Sequence, residues 1–251
     1  MMERITSRQN SLLAKVVKLQ QNRKYRRQEG LFVGDGPKLL MEAVKWAPES
    51  LRAVILRDDV KCPDLPGNVR AVQVSRQLME QISMMEAPEG ALFLCAMPEE
   101  TEGDICPGTL VLDGIQDPGN VGTILRTADA LDVPVLLTEG CADPYNPKTV
   151  RATMGAIFRN PPRQISRESL VNACREKEIP LLATALSDGA KDLRNADLKS
   201  GAVIIGSEGQ GVSKYLLEQS GGHIIIPMHP RCESLNAASA ASIVLWEMTT
   251  L

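Results

Sequence analysis

The chain has 251 residues, of which 43% are hydrophobic and 24% charged, and its formal net charge is −3. This length predicts two domains of ordinary size, and the composition is that of a globular protein rather than a long disordered or fibrous one. No segment has the apolar length of a signal peptide or a membrane span, so we expect a cytoplasmic protein.

A basic segment opens the first half, although the whole chain is slightly acidic. Eight Lys and Arg residues lie between Arg4 and Arg27. Apolar residues recur at helical spacing over residues 11–19, which predicts an amphipathic basic helix. Phosphate binding and a solvated helix face both fit such charge, and charge alone does not separate them. The candidate phosphate-binding residues are Arg8, Arg23, Lys24, Arg26 and Arg27.

The rest of the first half predicts a small α/β domain. Short apolar runs indicate strands at residues 31–33, 51–56, 69–74 and 91–95, and helical patterns cover residues 38–46 and 76–82. A stretch rich in Pro and acidic residues follows and lacks apolar periodicity. We therefore place one domain at residues 1–100, a linker at 101–108 and a second domain at 109–251.

The second half alternates buried strands with helices. The predicted strands are residues 109–112, 133–138, 181–185, 202–205 and 224–226, and the predicted helices are residues 121–131, 149–158, 168–178, 213–218 and 235–248. Alternation of this kind predicts an α/β fold with a parallel sheet. Ligands of such sheets bind at the carboxyl ends of the strands, so the loops there are the candidate sites.

The first of these loops follows the strand at 109–112. It reads Asp-Gly-Ile-Gln-Asp-Pro-Gly-Asn and runs into a helix that carries Arg126. Asn120 at the helix start can point back into the loop while Arg126 lies over the first turns. A helix cap for Asn120 and a surface ion pair with Asp129 for Arg126 are the structural alternatives.

The second loop is rich in glycine and follows the strand at 202–205. It reads Gly-Ser-Glu-Gly-Gln-Gly from Gly206 to Gly211, so backbone amides can approach a ligand closely. The spacing is not that of the dinucleotide fingerprint. The acidic residue that binds the ribose in that fingerprint is expected about twenty residues later, where this chain has Ile226. A nicotinamide cofactor is therefore not expected. Glu208 is either a functional acid or a solvated turn residue.

The third loop joins the strand at 224–226 to the last helix. It reads Ile-Pro-Met-His-Pro-Arg-Cys-Glu-Ser-Leu-Asn from Ile226 to Asn236, and the helix that follows is rich in small residues. Ser234 can be a helix cap, and the alanines can be simple helix formers. His229 and Cys232 form one His-x-x-Cys pair, but zinc needs about four ligands and no second pair is evident. We predict no metal site and six free thiols.

Together the three loops resemble the three motifs of the SpoU family of knotted SPOUT methyltransferases. The motifs are Asn-x5-Arg after a strand, Gly-Ser-Glu-Gly-x-Gly, and Ile-Pro-Met with Ser-Leu-Asn nearby, in that order. The first half is similar to the family's ribosomal-protein-like RNA-binding domain, through Ile-Thr-Ser-Arg-Gln-Asn and Arg-Lys-Tyr-Arg-Arg-Gln-Glu-Gly-Leu-Phe. One departure is Gly34-Asp35-Gly36, where relatives commonly read Val-Glu-Gly.

The resemblance implies a deep trefoil knot in the second domain, an exception to the rule that chains do not thread loops. It implies S-adenosylmethionine as cofactor, a dimer with each active site near the subunit interface, and ribose 2′-hydroxyl groups of RNA as acceptors. The implied catalytic residues are Asn120, Arg126, Glu208, Ser234 and Asn236. The implied cofactor contacts are Gly206, Ile226 and Leu235, with Thr184 and Met228 as second-rank candidates.

The RNA substrate is left open by the sequence. The additional first domain favours ribosomal over transfer RNA. The alternatives are a non-catalytic RNA-binding protein that keeps the fold and another nucleotide-dependent enzyme using the glycine-rich loop. Retention of all five polar motif residues argues against the former.

Overall fold

The computed structural model describes residues 2–99, 103–187, 189–229, 231–232 and 234–249. It divides into two compact units, Met1–Glu99 with Tyr145–Arg159 and Glu100–Pro144 with Asn160–Leu251. None of the helices in the described ranges is both long and apolar enough to cross a membrane.

The secondary structure of the described residues alternates between strands and helices. The strands are β1 (Glu3–Arg4), β2 (Leu31–Asp35), β3 (Leu51–Arg57), β4 (Arg70–Val74), β5 (Ala91–Ala96), β6 (Thr109–Asp113), β7 (Val135–Leu137), β8 (Arg163–Gln164), β9 (Leu181–Thr184), β10 (Lys191–Asp192), β11 (Ala202–Gly206) and β12 (Gly222–Ile225). The helices are α1 (Ser11–Gln21), α2 (Arg23–Glu29), α3 (Pro37–Trp46), α4 (Arg76–Ile82), α5 (Pro118–Ala130), α6 (Pro147–Ala152), α7 (Ala156–Arg159), α8 (Arg167–Glu176), α9 (Lys214–Gln219) and α10 (Ala237–Thr249).

The first unit is built on a mixed five-stranded sheet in the order β1-β4-β3-β5-β2. Strand β4 is parallel to β1 and β3, and β5 is antiparallel to β2 and β3. Successive side chains of β3 face opposite sides, because strand side chains alternate. Ile55 belongs to the core that α1 and α4 cover, and Val54 belongs to the core that α3 covers. Helices therefore pack on both faces of this sheet.

Residues 145–159 belong to the first unit, although the sequence pattern grouped them with the second half. Val150, Ile157 and Phe158 are buried in the core on the α3 side. The rings of Tyr145 and Phe158 lie with their centroids 5.0 and 6.1 Å from that of Phe32. The single helix predicted at 149–158 is wrong, because positive φ angles at Met154 and Gly155 break it into α6 and α7.

Arg26 is a buried structural residue, which corrects its assignment to phosphate binding. It lies on α2, a helix that the sequence pattern did not predict, and only 2% of it is exposed. Its Nη1 donates to the backbone oxygens of Leu19 and Gln20, at 2.6 and 3.3 Å, and so satisfies carbonyl groups in the last turn of α1. The other four candidates, Arg8, Arg23, Lys24 and Arg27, are exposed.

The second unit is built on a fully parallel seven-stranded sheet in the order β10-β12-β9-β11-β6-β7-β8. Leu110 and Leu112 of β6 pack into the core under α5 and α10, whereas Val111 packs on the opposite side under α8 and α9. The predicted α/β fold is thereby confirmed. Because the strands are parallel, the loops after β6, β9, β11 and β12 all leave from one edge of the sheet.

The described part of the predicted linker is packed into the second unit. Residues 101 and 102 lie outside the described residues. The amide of Gly103 donates to the oxygen of Gln164 at 2.9 Å, and that of Gly108 donates to the oxygen of Gly201 at 2.8 Å. Ile105 between them is buried. Residues 103–108 therefore have the contacts of an ordered segment.

Gly34 gives a physical reason for the Gly-Asp-Gly departure from the family pattern. A Cβ atom at Gly34 would lie 2.1 Å from Cζ of Phe93, on the neighbouring strand β5. The ring of Phe93 therefore occupies the space that a side chain at position 34 would need. The next residue, Asp35, accepts a hydrogen bond from Oγ of Ser83 at 2.7 Å. Burial raises the pKa of Asp35, and the bond from Ser83 opposes that effect.

We expect Gly34→Val to lower the free energy of unfolding by about 3 kcal/mol, because a buried ring must move to admit it. Phe93→Ala alone should cost about 3–5 kcal/mol through the cavity that it leaves. The double variant should be more stable than the sum of the two losses predicts, since the Val side chain fills part of that cavity. Urea unfolding of the four proteins measures this coupling, and strictly additive losses would contradict the account.

Candidate active site

Three polar motif residues are placed by the loops that leave the carboxyl edge of the second sheet. Asn120 lies in the first turn of α5, where its amide donates to Oδ1 of the capping residue Asp117 at 2.9 Å. Glu208 lies in the turn after β11. Asn236 directly precedes α10, and its Oδ1 accepts from the amides of Ala238 and Ser239 at 3.0 and 3.3 Å. Asn236 therefore caps α10, the role considered for Ser234.

The side chains of Asn120, Glu208 and Asn236 form a closed hydrogen-bonded triangle. Oε1 of Glu208 accepts from Nδ2 of Asn120 at 2.9 Å and from Nδ2 of Asn236 at 2.5 Å. The same Nδ2 of Asn236 lies 3.1 Å from Oδ1 of Asn120. The amide of Ala237 also donates to Oε1 of Glu208, at 3.1 Å. Residues far apart in sequence are thus joined at one carboxylate oxygen.

A tight turn in the glycine-rich loop presents Glu208. Ser207 and Gly211 exchange two backbone hydrogen bonds, at 3.0 and 2.8 Å. Gly211 has a φ of +67°, which favours glycine. A Cβ at Gly206 would lie 2.0 Å from backbone atoms of Gly211 and Val212, so only glycine lets the two ends of the turn approach each other.

Two cavities of about 590 and 230 Å³ open beside this turn and share the wall formed by residues 207–210 and Ala237. The larger cavity is lined by all five candidate cofactor residues and by Ser234; the five are Thr184, Gly206, Ile226, Met228 and Leu235. The smaller cavity is lined by Asn120 and Glu208, with Gln116, Asp117 and Gln210. Three of the five catalytic candidates, Asn120, Glu208 and Ser234, therefore line the cavities. A fourth, Asn236, is hydrogen-bonded to Asn120 and Glu208.

The fifth candidate, Arg126, lies outside the residues that line the cavities. It is exposed on α5, between Leu125, which is buried, and Thr127. Thr184 also differs from expectation, because its Oγ1 donates to the backbone oxygen of Ile204 at 2.9 Å. That hydrogen bond joins β9 to β11, so the Thr184 hydroxyl has a structural role.

Asp113 is a buried acid that supports the site from outside the cavities, and no sequence motif marked it. It ends β6, and only 1% of its side chain is exposed. Its oxygens accept from Oγ1 of Thr138 at 2.6 Å, Nε of Arg167 at 2.7 Å and the amide of Ser213 at 2.7 Å. Burial raises the pKa of this carboxyl, but the hydrogen bonds outweigh it and hold the pKa below its ordinary value. The sequence feature that could have identified Asp113 is an acidic residue at the end of an otherwise apolar strand.

The thiols and histidines form no metal centre among the described residues. No group of three or more His, Cys, Asp and Glu side chains in those ranges is placed to hold a metal ion. His229 and Cys232 are exposed, and the amide of Cys232 donates to the oxygen of His229 at 2.8 Å. All six cysteines are free. Burial raises the pKa of Cys95 to about 12 and that of Cys141 to about 11, so both stay protonated.

The chain is similar to known proteins over most of its length. Residues 107–246 match the SpoU rRNA Methylase family, and residues 10–92 match the MRM3-like substrate binding domain. The chain is 32% identical to the 23S rRNA (guanosine(2553)-2′-O)-methyltransferase RlmP of Bacillus subtilis (strain 168), over 98% of this chain and 99% of that protein. It is 28% identical to the mouse (Mus musculus) mitochondrial rRNA methyltransferase 3, over 94% of this chain and 71% of that protein.

Two solved structures are similar over almost the full length. One is an AdoMet-bound rRNA methyltransferase from Sinorhizobium meliloti, with a TM-score of 0.84, 27% identity, and coverage of 98% of this chain and 97% of that one. The other is the SpoU methyltransferase AviRb from Streptomyces viridochromogenes in complex with AdoMet, with a TM-score of 0.82, 26% identity, and coverage of 96% and 97%.

We expect Gly206→Ala to lower the free energy of unfolding by about 3 kcal/mol, because the added methyl group meets backbone atoms that cannot swing aside. Gly209→Ala in the same loop is the matched control, since a Cβ there meets nothing within 4 Å. Thermal and urea unfolding compare the two variants. Equal stability of the two variants would show that the turn adapts to a side chain.

Proposed function

Because the chain belongs to the SpoU rRNA Methylase family, we propose that it transfers the methyl group of S-adenosylmethionine to a ribose 2′-hydroxyl of ribosomal RNA. The observation that carries the proposal is the hydrogen-bonded triangle of Asn120, Glu208 and Asn236, in which Glu208 lines both cavities and Asn120 lines the smaller one. The Glu208 carboxylate can therefore contact both a cofactor in one cavity and the RNA ribose that accepts the methyl group in the other.

The larger cavity fits the cofactor. Its volume of about 590 Å³ is within the range of small-molecule sites. Ile226 and Leu235 supply apolar wall for a flat adenine ring, and Gly206 lets a ligand approach the backbone. Met228 contributes a further apolar contact. When bound there, the cofactor supplies an electrophilic methyl group, and the similar AviRb structure contains AdoMet.

The smaller cavity is the proposed place of the target nucleotide. It lies across the shared wall from the larger one and is lined by the polar residues Gln116 and Gln210. Ser234, which lines the larger cavity, is the proposed hydrogen-bond partner of the ribose. A guanidinium stays protonated in proteins, so we assign Arg126 the role of a cation that orients a phosphate of the target RNA.

Ribosomal RNA is the proposed substrate rather than transfer RNA, because two relatives that match at least 94% of this chain, RlmP and the mouse mitochondrial enzyme, are rRNA methyltransferases by name. The first unit supplies the proposed docking surface. Arg8, Arg23, Lys24 and Arg27 are exposed there, and the unit contains the match to a substrate binding domain. Exposed cations bind RNA through its phosphates without reading sequence.

We further propose that the protein works as a homodimer in the cytoplasm. On α10, Ile243 is 40% exposed and Trp246 is 62% exposed. Residues three apart share a helix face, so the two form an apolar surface that a second copy of the chain can cover. The cytoplasm is proposed because the relative RlmP is bacterial, and bacterial ribosomes are cytoplasmic. The trefoil knot stays a prediction of the family resemblance.

Arg126→Ala should abolish methyl transfer, with a loss of at least about 100-fold in kcat, and leave the cofactor Kd within a few-fold. Arg126→Lys should also fail, because an ammonium group cannot reproduce the planar guanidinium fork. Calorimetry with S-adenosylmethionine measures binding, and incorporation of labelled methyl into 23S rRNA measures transfer. Mapping of 2′-O-methyl groups then identifies the nucleotide.

Arg163→Ala, on the exposed edge strand β8, is the control for loss of a surface cation. It should leave both measurements unchanged. A wild-type protein that neither binds the cofactor nor methylates ribosomal RNA would sink the proposed function. Parallel loss of cofactor binding and transfer in Arg126→Ala would sink only the assignment of Arg126 to the RNA.

Replacement of Arg23, Lys24 and Arg27 by Ala should weaken RNA binding and flatten its dependence on salt. Each lost phosphate contact lowers the slope of log affinity against log salt by roughly 0.7 to 0.9, so three contacts lower it by roughly 2 to 3. Filter binding to 23S rRNA over a salt series gives the slope. A control triple variant at Lys61, Arg76 and Lys199, exposed elsewhere, should keep it. An unchanged slope in the first variant would reduce the segment to a solvated helix face.

A further inference from the structure

The two carboxylate oxygens of Glu208 have different surroundings. Oε1 accepts three hydrogen bonds, from Nδ2 of Asn120, Nδ2 of Asn236 and the amide of Ala237. Oε2 accepts no hydrogen bond from any residue in the ranges that the structure describes. Glu208 lines both cavities and is exposed to them. One oxygen is thus anchored, and the other is available to a molecule in the cavities.

The other polar groups of the motifs and of the cavity walls are less suited to accept a proton. The guanidinium of Arg126 is already protonated, and the side-chain amides of Asn120 and Asn236 are not bases. Both ring nitrogens of His223 have partners, Oγ of Ser187 at 3.0 Å and the backbone oxygen of Leu217 at 3.3 Å. Asp117 accepts the amide of Asn120 as the cap of α5.

We propose that Oε2 of Glu208 accepts the proton of the ribose 2′-hydroxyl during methyl transfer, an inference that rests on the proposed function. The ribose oxygen forms a bond to the methyl carbon, and the carbon–sulfur bond breaks with its electron pair left on sulfur. The hydroxyl proton moves to Oε2, which later releases it to water. The positive charge of the sulfonium and the negative charge of the carboxylate both disappear, so the charges balance.

A carboxylate is a strong enough acceptor for this step. A free ribose hydroxyl is far less acidic than a carboxylic acid, so proton removal before methyl transfer is unfavourable. The hydroxyl becomes strongly acidic as its oxygen bonds to carbon, so a carboxylate can take the proton within the same step. The three donors to Oε1 fix the direction of the second oxygen, and such positioning lowers the barrier further.

Glu208→Gln separates this role from a merely structural one. The amide oxygen can accept the same three hydrogen bonds, so the triangle with Asn120 and Asn236 is kept. The other position becomes an amide nitrogen, which donates and cannot accept a proton. The variant should keep the melting temperature and bind S-adenosylmethionine within about twofold of wild type. Its kcat on 23S rRNA should fall by about 100-fold or more, the usual contribution of a general base.

Glu208→Ala is the second variant, because it removes both the anchor and the acceptor. It should melt at a lower temperature than Glu208→Gln, and added formate should restore part of its activity by supplying a carboxylate. Formate should not restore activity to Glu208→Gln, where the amide fills the space. Glu218→Gln, at an exposed acid on α9 that pairs with Lys214, is the control for loss of one negative charge and should stay fully active.

The outcomes distinguish this inference from the function on which it rests. If wild type methylates 23S rRNA and Glu208→Gln retains its rate, the inference alone is overturned. If Glu208→Gln melts early, rescue of Glu208→Ala by formate decides: recovered activity supports proton acceptance, and no recovery overturns it. A wild-type protein without cofactor binding or methyl transfer overturns the proposed function together with the inference.

Discussion

The buried carboxylate of Asp113 is the constraint on which the geometry of the second unit depends. It ends the interior strand β6 and accepts hydrogen bonds from Thr138, Arg167 and Ser213. These donors come from the end of β7, the start of α8 and the segment before α9. A buried charge without partners is costly, and removal of one member of a buried ion pair usually costs about 3–5 kcal/mol. Each loop must therefore return to Asp113 when the unit folds.

Two of the loops held in this way carry the candidate active site. The chain that leaves Asp113 reaches Asn120 within the first turn of α5, and the chain that reaches Ser213 has just passed Glu208. The first loop thus begins at Asp113, and the second is held to the same carboxylate through Ser213. The Asn120–Glu208 hydrogen bond joins the two loops a second time, at the cavities. Catalytic groups act best when their positions are fixed before the substrate arrives. Asp113 lines neither cavity, but its hydrogen bonds fix the positions of the loops whose residues do.

The sequence predicted the parallel sheet, the strand ends and the motif residues, because alternation and turn composition are local properties. Asn120, Glu208 and Asn236 were found as residues of loops at one edge of the sheet. Asp113 was missed because its three partners are 25, 54 and 100 residues away. Arg26 was misassigned because a basic helix does not reveal which cation turns inward to cap its neighbour. In both cases the deciding contact is tertiary, and no periodicity carries it.

The segment Tyr145–Arg159 shows the same limit at the level of domains. Its apolar pattern signalled burial but not which core it would complete, and it completes the core of the first unit. The chain therefore passes between the units three times, near residues 99, 144 and 159, rather than through one linker. Residues 1–99 alone lack Val150, Ile157 and Phe158, so their sheet would expose apolar surface on the α3 side. A truncation near residue 100 falls where the linker pattern indicates a domain boundary. It nevertheless separates the first unit from residues 145–159, which complete its hydrophobic core.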